Sequence, residues 1–239
     1  MRFVNFKDCS VYSRWTDLEL KEINNFLFAN RNNWKNKNIE NAFLLKFNRP
    51  LINEKLDLRG FYFNVGVSLQ FLKNIDFSYC NTTKSFNSCQ EKTNKLYDFK
   101  YGLGFVDCII DNCRFHYSEL TGFVRSKISS CEFDHAVIDG VGLGRENIYH
   151  CSFRHAKFKK ILLSRITFLN CDFSNAQFDG RCDVEYCKFI NCNFTDTKFG
   201  TTLLKQYAGV DNFLKCEFIH SPLSSEQKNK LSETIVITD

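Results

Sequence analysis

Large apolar residues recur at every fifth position through the second half of the chain. Twelve follow one another without interruption, and after one inserted residue five more continue the series: Phe123, Ile128, Phe133, Ile138, Leu143, Ile148, Phe153, Phe158, Leu163, Phe168, Phe173 and Phe178, then Val184, Phe189, Phe194, Phe199 and Leu204. A period of five matches neither the 3.6 residues of a helix turn nor the alternation of a strand. The pattern predicts a chain that turns a corner every five residues, so that four sides close one coil.

A longer repeat of about twenty residues accompanies the short one. Six copies of one motif open with a cysteine: "CRFHYSEL" at 113, "CEFDHAVI" at 131, "CSFRHAKF" at 151, "CDFSNAQF" at 171, "CNFTDTKF" at 192 and "CEFIHSPL" at 216. Looser copies are "LDLRGFYF" at 56, "IDFSYCNT" at 75 and "VNFKDCSV" at 4. Coils stacked at strand spacing rise about 4.8 Å each, so eight coils from 56 to 216 would form a rod of about 40 Å.

Stacked coils place equivalent residues in columns. The predicted large columns are Phe133, Phe153, Phe173 and Phe194 on one side and Ile138, Phe158, Phe178 and Phe199 on the next. The predicted small columns are Cys131, Cys151, Cys171 and Cys192, and Ala136, Ala156, Ala176 and Thr197. A free cysteine packs as a small hydrophobe, and core packing is the favoured role of these thiols. Cysteines five apart lie on different sides and cannot converge on one ion, so we expect no metal site.

This pattern resembles the pentapeptide-repeat family, whose consensus is a small residue, any residue, Leu or Phe, and two variable positions. The resemblance covers about residues 100–220 strongly and 50–80 weakly. It implies an all-β solenoid, a right-handed quadrilateral β-helix.

The ends of the chain depart from the five-residue period and divide it into three parts. Residues 1–50 are predicted to form a strand and a helical cap, with Thr16 or Asp17 beginning a helix in "TDLELKEINNFLF". Residues 51–220 would form the β-helix, interrupted by a polar loop at 81–96. Residues 221–239 would form a tail with a short helix near 224–233 and a final strand.

The tail has two alternative roles. In several pentapeptide-repeat proteins a similar helix-and-strand tail joins two rods end to end, so the resemblance implies either a monomeric cap or a homodimer. The candidate cap or dimer contacts are Leu223, Leu231, Ile235 and Ile237.

Charge and targeting signals exclude several classes of protein. The net charge is +5, and residues 103–220 carry 14 basic and 14 acidic side chains, without the concentrated basic stripe of a nucleic-acid-binding protein. No apolar run is long enough to span a membrane, and the first residues show no secretory signal. Twelve cysteines in 239 residues are too sparse for a disulfide scaffold, so we expect the reducing cytosol as the compartment. We also expect the protein to be bacterial.

No catalytic motif is found. The chain has no nucleophile elbow, phosphate-binding loop or zinc-protease motif, so we expect no enzyme activity, catalytic residue or cofactor. His135 and His155 share an outward column with Tyr117, Asn175, Asp196 and His220. Such a column could bind a metal or respond to pH, but a solvated surface is the more usual outcome.

These observations favour a non-enzymatic scaffold that binds a protein partner through its outer faces and loops. The candidate partner surface comprises Lys84, Lys92, Lys95, Arg154, His155, Lys157, Lys159, Lys160 and Arg165. One alternative comes from the resemblance of "FLNCDFSNAQF" (168–178) to the quinolone-resistance (Qnr-type) branch, which mimics DNA and binds DNA gyrase or topoisomerase IV. A DNA mimic needs a densely acidic surface, which the charge balance of 103–220 does not supply. A secreted bacterial effector scaffold is the third alternative.

Overall fold

The computed structural model describes residues 15–30, 51–61, 67–68, 71–80, 105–139, 143–144, 147–179, 182–200, 213–231 and 235–238. These residues form two helices and twenty-two short strands. In chain order they are α1 (Asp17–Asn30), β1 (Leu51–Ile52), β2 (Lys55–Asp57), β3 (Val67–Ser68), β4 (Phe71–Lys73), β5 (Ile75–Asp76), β6 (Phe105–Val106), β7 (Ile109–Asp111), β8 (Glu119–Leu120), β9 (Phe123–Val124), β10 (Lys127–Ser129), β11 (Val137–Asp139), β12 (Leu143–Gly144), β13 (Asn147–Tyr149), β14 (Lys157–Lys159), β15 (Leu162–Ser164), β16 (Thr167–Leu169), β17 (Gln177–Phe178), β18 (Asp183–Glu185), β19 (Lys188–Ile190), β20 (Lys198–Phe199), β21 (Glu217–Ile219), α2 (Ser225–Lys228) and β22 (Val236–Thr238).

The strands stack into a four-sided solenoid. Face 1 is a column of parallel bridges through Asp76, Arg114, Glu132, Ser152, Asp172 and Asn193, which β2 and β5 extend. Face 2 is the sheet β8-β11-β14-β17-β20, and face 3 is the sheet β3-β6-β9-β12-β15-β18. Face 4 is the eight-stranded sheet β4-β7-β10-β13-β16-β19-β21-β22. Apart from the antiparallel hairpin of β1 and β2, the described strand pairs are parallel. The predicted quadrilateral β-helix is therefore confirmed. Its right-handed coil agrees with the general handedness of crossovers between parallel strands.

The core consists of aromatic rings stacked along the axis. On face 1, Phe133 stacks on Phe153 at 4.9 Å between ring centroids, Phe153 on Phe173 at 5.0 Å, and Phe173 on Phe194 at 5.1 Å. On face 2, Phe178 stacks on its neighbour in the coil below at 4.4 Å. These spacings match the separation of adjacent strands, so ring stacking and backbone pairing follow one repeat. The predicted large columns are confirmed.

The small residues also lie where the period places them. Cys131, Cys151, Cys171 and Cys192 are buried, and so are Ala136, Ala156, Ala176 and Thr197. The Cys131 thiol donates to the carbonyl oxygens of Ser129 at 3.0 Å and Ile110 at 3.6 Å. All ten described cysteines are free thiols in the interior, which agrees with a packing role.

Each corner is made by a residue in the left-handed region of backbone space. His155, Lys160, Arg165, Asn170 and Asn175, five residues apart, have φ values of 57°, 49°, 58°, 54° and 57°. Asn and His adopt this region more readily than most residues. The sequence predicted the corners but not this conformation, because residues of very different chemistry occupy it.

The last repeat lies on a different face from the one predicted. Phe218 pairs with Phe189, so Cys216 lies beside Cys187 on the approach to face 4, and not in the column of Cys192. Ser221 fills the small position beside Cys192, whose backbone N–H donates to the serine hydroxyl at 2.9 Å. The prediction was wrong because all four sides need the same small-x-large pattern, so the motif alone does not identify the side.

This shift also changes the position of one predicted column member. His220 pairs in register with Asn191 and therefore lies on the corner between faces 4 and 1, not in the column of His155. The described solenoid also has about six turns, fewer than the eight coils predicted.

The described helix at the amino end is attached to the first coil. Thr16 caps α1, since its hydroxyl accepts from the backbone N–H of Glu19 at 3.2 Å while the Glu19 carboxylate accepts from Thr16. The Trp15 ring meets Phe61 edge to face at 5.3 Å, and its indole N–H donates to the carbonyl of Arg59 at 2.8 Å. Residues 1–14 and 31–50 of the predicted amino-terminal part and the predicted loop at 81–96 lie outside the described residues. The three-part division of the chain stays a prediction.

The carboxyl end closes over face 1 and then returns to face 4. Ser224 and Gln227 form a capping box for α2, and the Gln227 amide donates to the carbonyls of Phe194 at 2.7 Å and Thr197 at 3.0 Å. β22 then pairs in parallel with β21. The helix ends at Lys228, earlier than predicted, because the chain must turn back to reach face 4 at Val236.

We expect Phe173→Arg to abolish the fold, because it removes a fully buried ring and places an unpaired charge in the interior. Loss of the ring alone costs about 3–5 kcal/mol of unfolding free energy. Gln177→Arg, an exposed position of the same coil, is the matched control and should leave stability nearly unchanged. Urea unfolding followed by circular dichroism measures both, and a native β-type spectrum for Phe173→Arg would contradict the assignment.

Candidate interaction surfaces of the outer faces

The structure does not bring the predicted basic residues together. Arg154 and His155 lie at the corner between faces 1 and 2, and Lys157 and Lys159 lie on β14 of face 2. The next two positive charges follow the chain around two further corners, Lys160 between faces 2 and 3 and Arg165 between faces 3 and 4. Lys84, Lys92 and Lys95 lie outside the described residues.

Arg154 is engaged within the molecule. Its Nε and Nη2 donate to Asp134 Oδ2 at 2.9 and 2.5 Å, and the hydroxyl of Ser152 donates to the same carboxylate. Burial of Asp134 by itself would raise the pKa of its carboxyl, but the hydrogen bonds from Arg154 and Ser152 outweigh it, and the net pKa is lowered. The Arg154 side chain therefore compensates a buried charge in the neighbouring coil.

Other arginines form similar pairs along the solenoid. Arg114 contacts Asp76 at 3.5 Å and Glu132 at 3.1 Å. Arg125 contacts Asp107 at 2.7 Å, and the Arg125 hydrogen bond lowers the pKa of that carboxyl. Each of these carboxylates is therefore neutralised by an arginine of a neighbouring coil.

Four exposed rings form a ladder at the corner between faces 1 and 2. Tyr79 stacks on Tyr117 at 5.2 Å, Tyr117 on His135 at 4.7 Å, and His135 on His155 at 4.6 Å. Burial, and then the neighbouring His155, lower the pKa of His135. Parallel stacking keeps the two imidazole planes apart, so their lone pairs do not converge on one ion. Among the described residues, no group of three or more His, Cys, Asp or Glu side chains could hold a metal ion.

The predicted tail contacts lie against the solenoid. Leu223 is buried, and Leu231, Ile235 and Ile237 are partly buried and pack on the same core. Their predicted role in a dimer stays a prediction.

Face 4 carries a surface that the sequence analysis missed. In four successive strands of face 4, the residue after the inward-pointing one is large and apolar. Strand pairing places these four residues side by side: Tyr149, Leu169, Ile190 and Ile219. Because side chains alternate along a strand, these four point outward from face 4. Each is partly exposed, and we call them the apolar row. The signal was present in "IYH", "FLN", "FIN" and "FIH", but it becomes visible only once the four segments are assigned to one face.

A second outward row runs beside the apolar row on face 4. It consists of Ile109, Lys127, Asn147, Thr167, Lys188, Glu217 and Val236, the first residues of seven successive strands. Ile109 and Val236, near the two ends of this row, are 46% and 54% exposed. Lys188 and Glu217 form an ion pair at 3.0 Å. Parallel sheets usually have both faces covered, so the exposed outer side of face 4 suits a contact surface.

The repeat register and the four-sided coil agree with a family model described as "Pentapeptide repeats (8 copies)", which matches residues 147–180. The chain carries pentapeptide repeats. No curated protein matches it in sequence.

Several solved pentapeptide-repeat structures are similar to it. HetL, involved in heterocyst differentiation regulation in the cyanobacterium Nostoc sp. strain PCC 7120, has 15% identity and a TM-score of 0.46, covering 79% of this chain and 81% of HetL. A trypsin-treated variant of QnrB1, a plasmid-mediated fluoroquinolone resistance protein, has 13% identity and a TM-score of 0.37, covering 77% of this chain and 88% of QnrB1. Rfr23 from the cyanobacterium Cyanothece 51142 has 10% identity and a TM-score of 0.21, covering 84% of this chain and 98% of Rfr23.

Neither helix of the described part of the chain is both long and apolar enough to cross a membrane.

We expect Arg154→Ala to lower stability at neutral pH by about 1 kcal/mol, because it leaves the buried Asp134 carboxylate without its main partner. The lowered pKa of Asp134 stabilises the fold above the unfolded pKa of about 4, and this contribution is lost as pH falls through the folded pKa. The difference in unfolding free energy between wild type and variant should therefore be smaller at pH 3 than at pH 7. Urea unfolding at pH 7 and pH 3 measures it. Arg165→Ala is the control, and an equal loss at both pH values would contradict the role of Asp134.

Proposed function

We propose that this pentapeptide-repeat protein is a non-enzymatic scaffold that binds a protein partner through face 4. The observation that carries the proposal is the apolar row: Tyr149, Leu169, Ile190 and Ile219 lie in register on the outer side of a parallel sheet. A reducing compartment such as the cytosol suits the ten free thiols of the described core, and we propose that location.

The physical chemistry of the row suits a protein surface. Fully burying one exposed large apolar side chain contributes about 1.5–3 kcal/mol. The four residues of the row are partly buried already, so each supplies a fraction of this and the driving force comes from the row as a whole. Tyr is among the residues enriched at the centres of protein interfaces. The row lies on backbone that is paired on both sides and packed on stacked rings, such as Phe168 on Phe189 at 5.0 Å. A preformed surface loses little conformational entropy when it binds.

The non-enzymatic part of the proposal rests on where the reactive side chains lie. The ten described cysteines are buried in the core. Burial raises the pKa of Cys80 to about 12 and that of Cys182 to about 11. A nucleophilic thiol needs a lowered pKa and access to substrate, and these two groups have neither. His135 and His155 face each other rather than a cleft.

The row is tested with a photo-crosslinking benzoylphenylalanine in place of Leu169, and with the same residue in place of Gln177 on face 2 as the matched control. We expect irradiation to join position 169, but not position 177, to a discrete protein. Ile190→Glu in the same chain should abolish the crosslink, because it places a charge in the centre of the row. Equal labelling at both positions would show that face 4 is not a preferred contact.

The DNA-mimic alternative receives no support from the described surface, where Asp76, Asp107, Glu132 and Asp134 all contact arginines. We therefore expect the purified chain in large molar excess to leave supercoiling by DNA gyrase unchanged, with and without a quinolone. A mimic must present a dense row of uncompensated negative charge. Agarose-gel supercoiling assays measure this, and protection or inhibition at low micromolar concentration would favour the alternative.

A further inference from the structure

We infer that the partner of the apolar row is a second copy of this chain, docked antiparallel with face 4 against face 4 and a two-fold axis along β16. The inference rests on the proposed function, because it uses the same row as the contact surface. It differs from an end-to-end dimer through the tail, since it joins the rods side by side.

The two-fold axis fixes which strands meet. It lies in the plane between the two sheets and runs along β16, so it reverses the order of the coils and leaves each outward row facing itself. Face 4 has the order β22-β21-β19-β16-β13-β10-β7-β4. β16 therefore meets β16, β19 meets β13, β21 meets β10, and β22 meets β7. Sheets packed in this way lie about 10 Å apart, which leaves room for one interdigitating layer of side chains.

The centre of the apolar row is self-complementary under this axis. Leu169 of one copy meets Leu169 of the other, and Tyr149 meets Ile190 on both sides of the axis. Ile219, the fourth member of the row, meets Ser129 of β10. An isologous interface requires that one surface fit itself in this manner. The centre of the contact therefore contains two leucines flanked by two aromatic–aliphatic pairs.

The second row is complementary in the same register. Lys127 meets Glu217, so opposite charges face each other twice, once on each side of the axis. Ile109 meets Val236, which joins the two most exposed apolar residues of face 4. Thr167 meets itself, and Asn147 meets Lys188. In this register no two like charges of the described rows face each other.

Other positions of the two-fold axis pair the charged residues less favourably. An axis between β13 and β16 would place Lys127 opposite Lys188, and an axis along β19 would place Lys188 opposite itself. Like charges facing each other across an interface are strongly unfavourable. An axis between β16 and β19 would pair all four residues of the apolar row, Leu169 with Ile190 and Tyr149 with Ile219. It would, however, place Lys127 opposite Val236 and leave Ile109 beyond the end of the contact. Only the axis along β16 pairs both the charges and the exposed apolar residues.

The size of the surface indicates a weak dimer. Seven strands of face 4 at about 4.8 Å give a contact about 34 Å long, but only one side of a narrow prism wide. This is smaller than the roughly 800 Å² per partner of a standard stable interface, so association should depend on concentration.

The first experiment is a charge exchange measured by sedimentation equilibrium on the full chain, whose monomer mass is 28.0 kDa. We expect Lys127→Glu to weaken dimerisation about tenfold, because it places Glu opposite Glu217. Adding Glu217→Lys in the same chain should restore part of the affinity, since each copy then presents the reversed pair while losing the ion pair of Glu217 with Lys188. Lys157→Glu, which makes the same charge change on face 2, is the matched control and should leave the dimer unchanged. A chain that stays monomeric, or a dimer insensitive to Lys127→Glu, overturns the inference.

The second experiment uses the benzoylphenylalanine at position 169 in the purified chain and in cells. We expect a covalent dimer of twice the monomer mass, crosslinked to the peptide around Leu169 of the other copy. A covalent dimer crosslinked elsewhere overturns the antiparallel register. A crosslink to a different protein and none to a second copy overturns the inference while the protein-binding function stands. No crosslink to any protein contradicts both.

Discussion

The narrow interior of the four-sided coil is the constraint on which the rest of the structure depends. Each side has room for one large and one small residue, and each must match the residue one coil above and below. The Phe133, Phe153 and Phe173 rings satisfy this by stacking at 4.9 and 5.0 Å, which is also the separation of adjacent backbones. Because these packing requirements determine the interior residues, the sequence can vary freely only at the outward positions and at the ends of the solenoid.

The outward side chains differ in chemical character from one face of the solenoid to another. Face 1 carries carboxylates and arginines that neutralise each other between coils, as Arg154 does for Asp134. Face 4 instead carries Tyr149, Leu169, Ile190 and Ile219 side by side. A pair of opposite charges stabilises the coil without a partner, whereas an outward apolar side chain on a parallel sheet gains from being covered. Face 4 is therefore the face that gains most from contact with a partner.

The sequence specified the columns of the core because a five-residue period leaves little freedom about which side chains point inward. It could not specify the left-handed corners, since His155, Lys160 and Asn170 share that backbone conformation but not their chemistry. Nor could it place the last coil, because "CEFIHSPL" satisfies any side of the prism. The apolar row depends on that placement: Ile219 joins Ile190 only when Phe218 pairs with Phe189. The fourth residue of the row could therefore not be predicted while the last coil was assigned to the wrong side.

Stability and binding are assigned to different residues of the same strand in this architecture. In β16, Phe168 is buried between Ile148 of one neighbouring coil and the Phe189 ring of the other, while Thr167 and Leu169 on either side of it face outward. A change at 168 acts on the fold and a change at 169 acts on the surface, although the two residues are adjacent. Because the coils repeat, equivalent surface residues on neighbouring coils are about 4.8 Å apart. A two-fold axis along β16 therefore aligns the strands on its two sides in pairs at the same time. A stacked coil that exposes one apolar row on a straight face is thus geometrically suited to pairing with its own copy, provided that the charges beside the row are arranged antisymmetrically, as Lys127 and Glu217 are about β16.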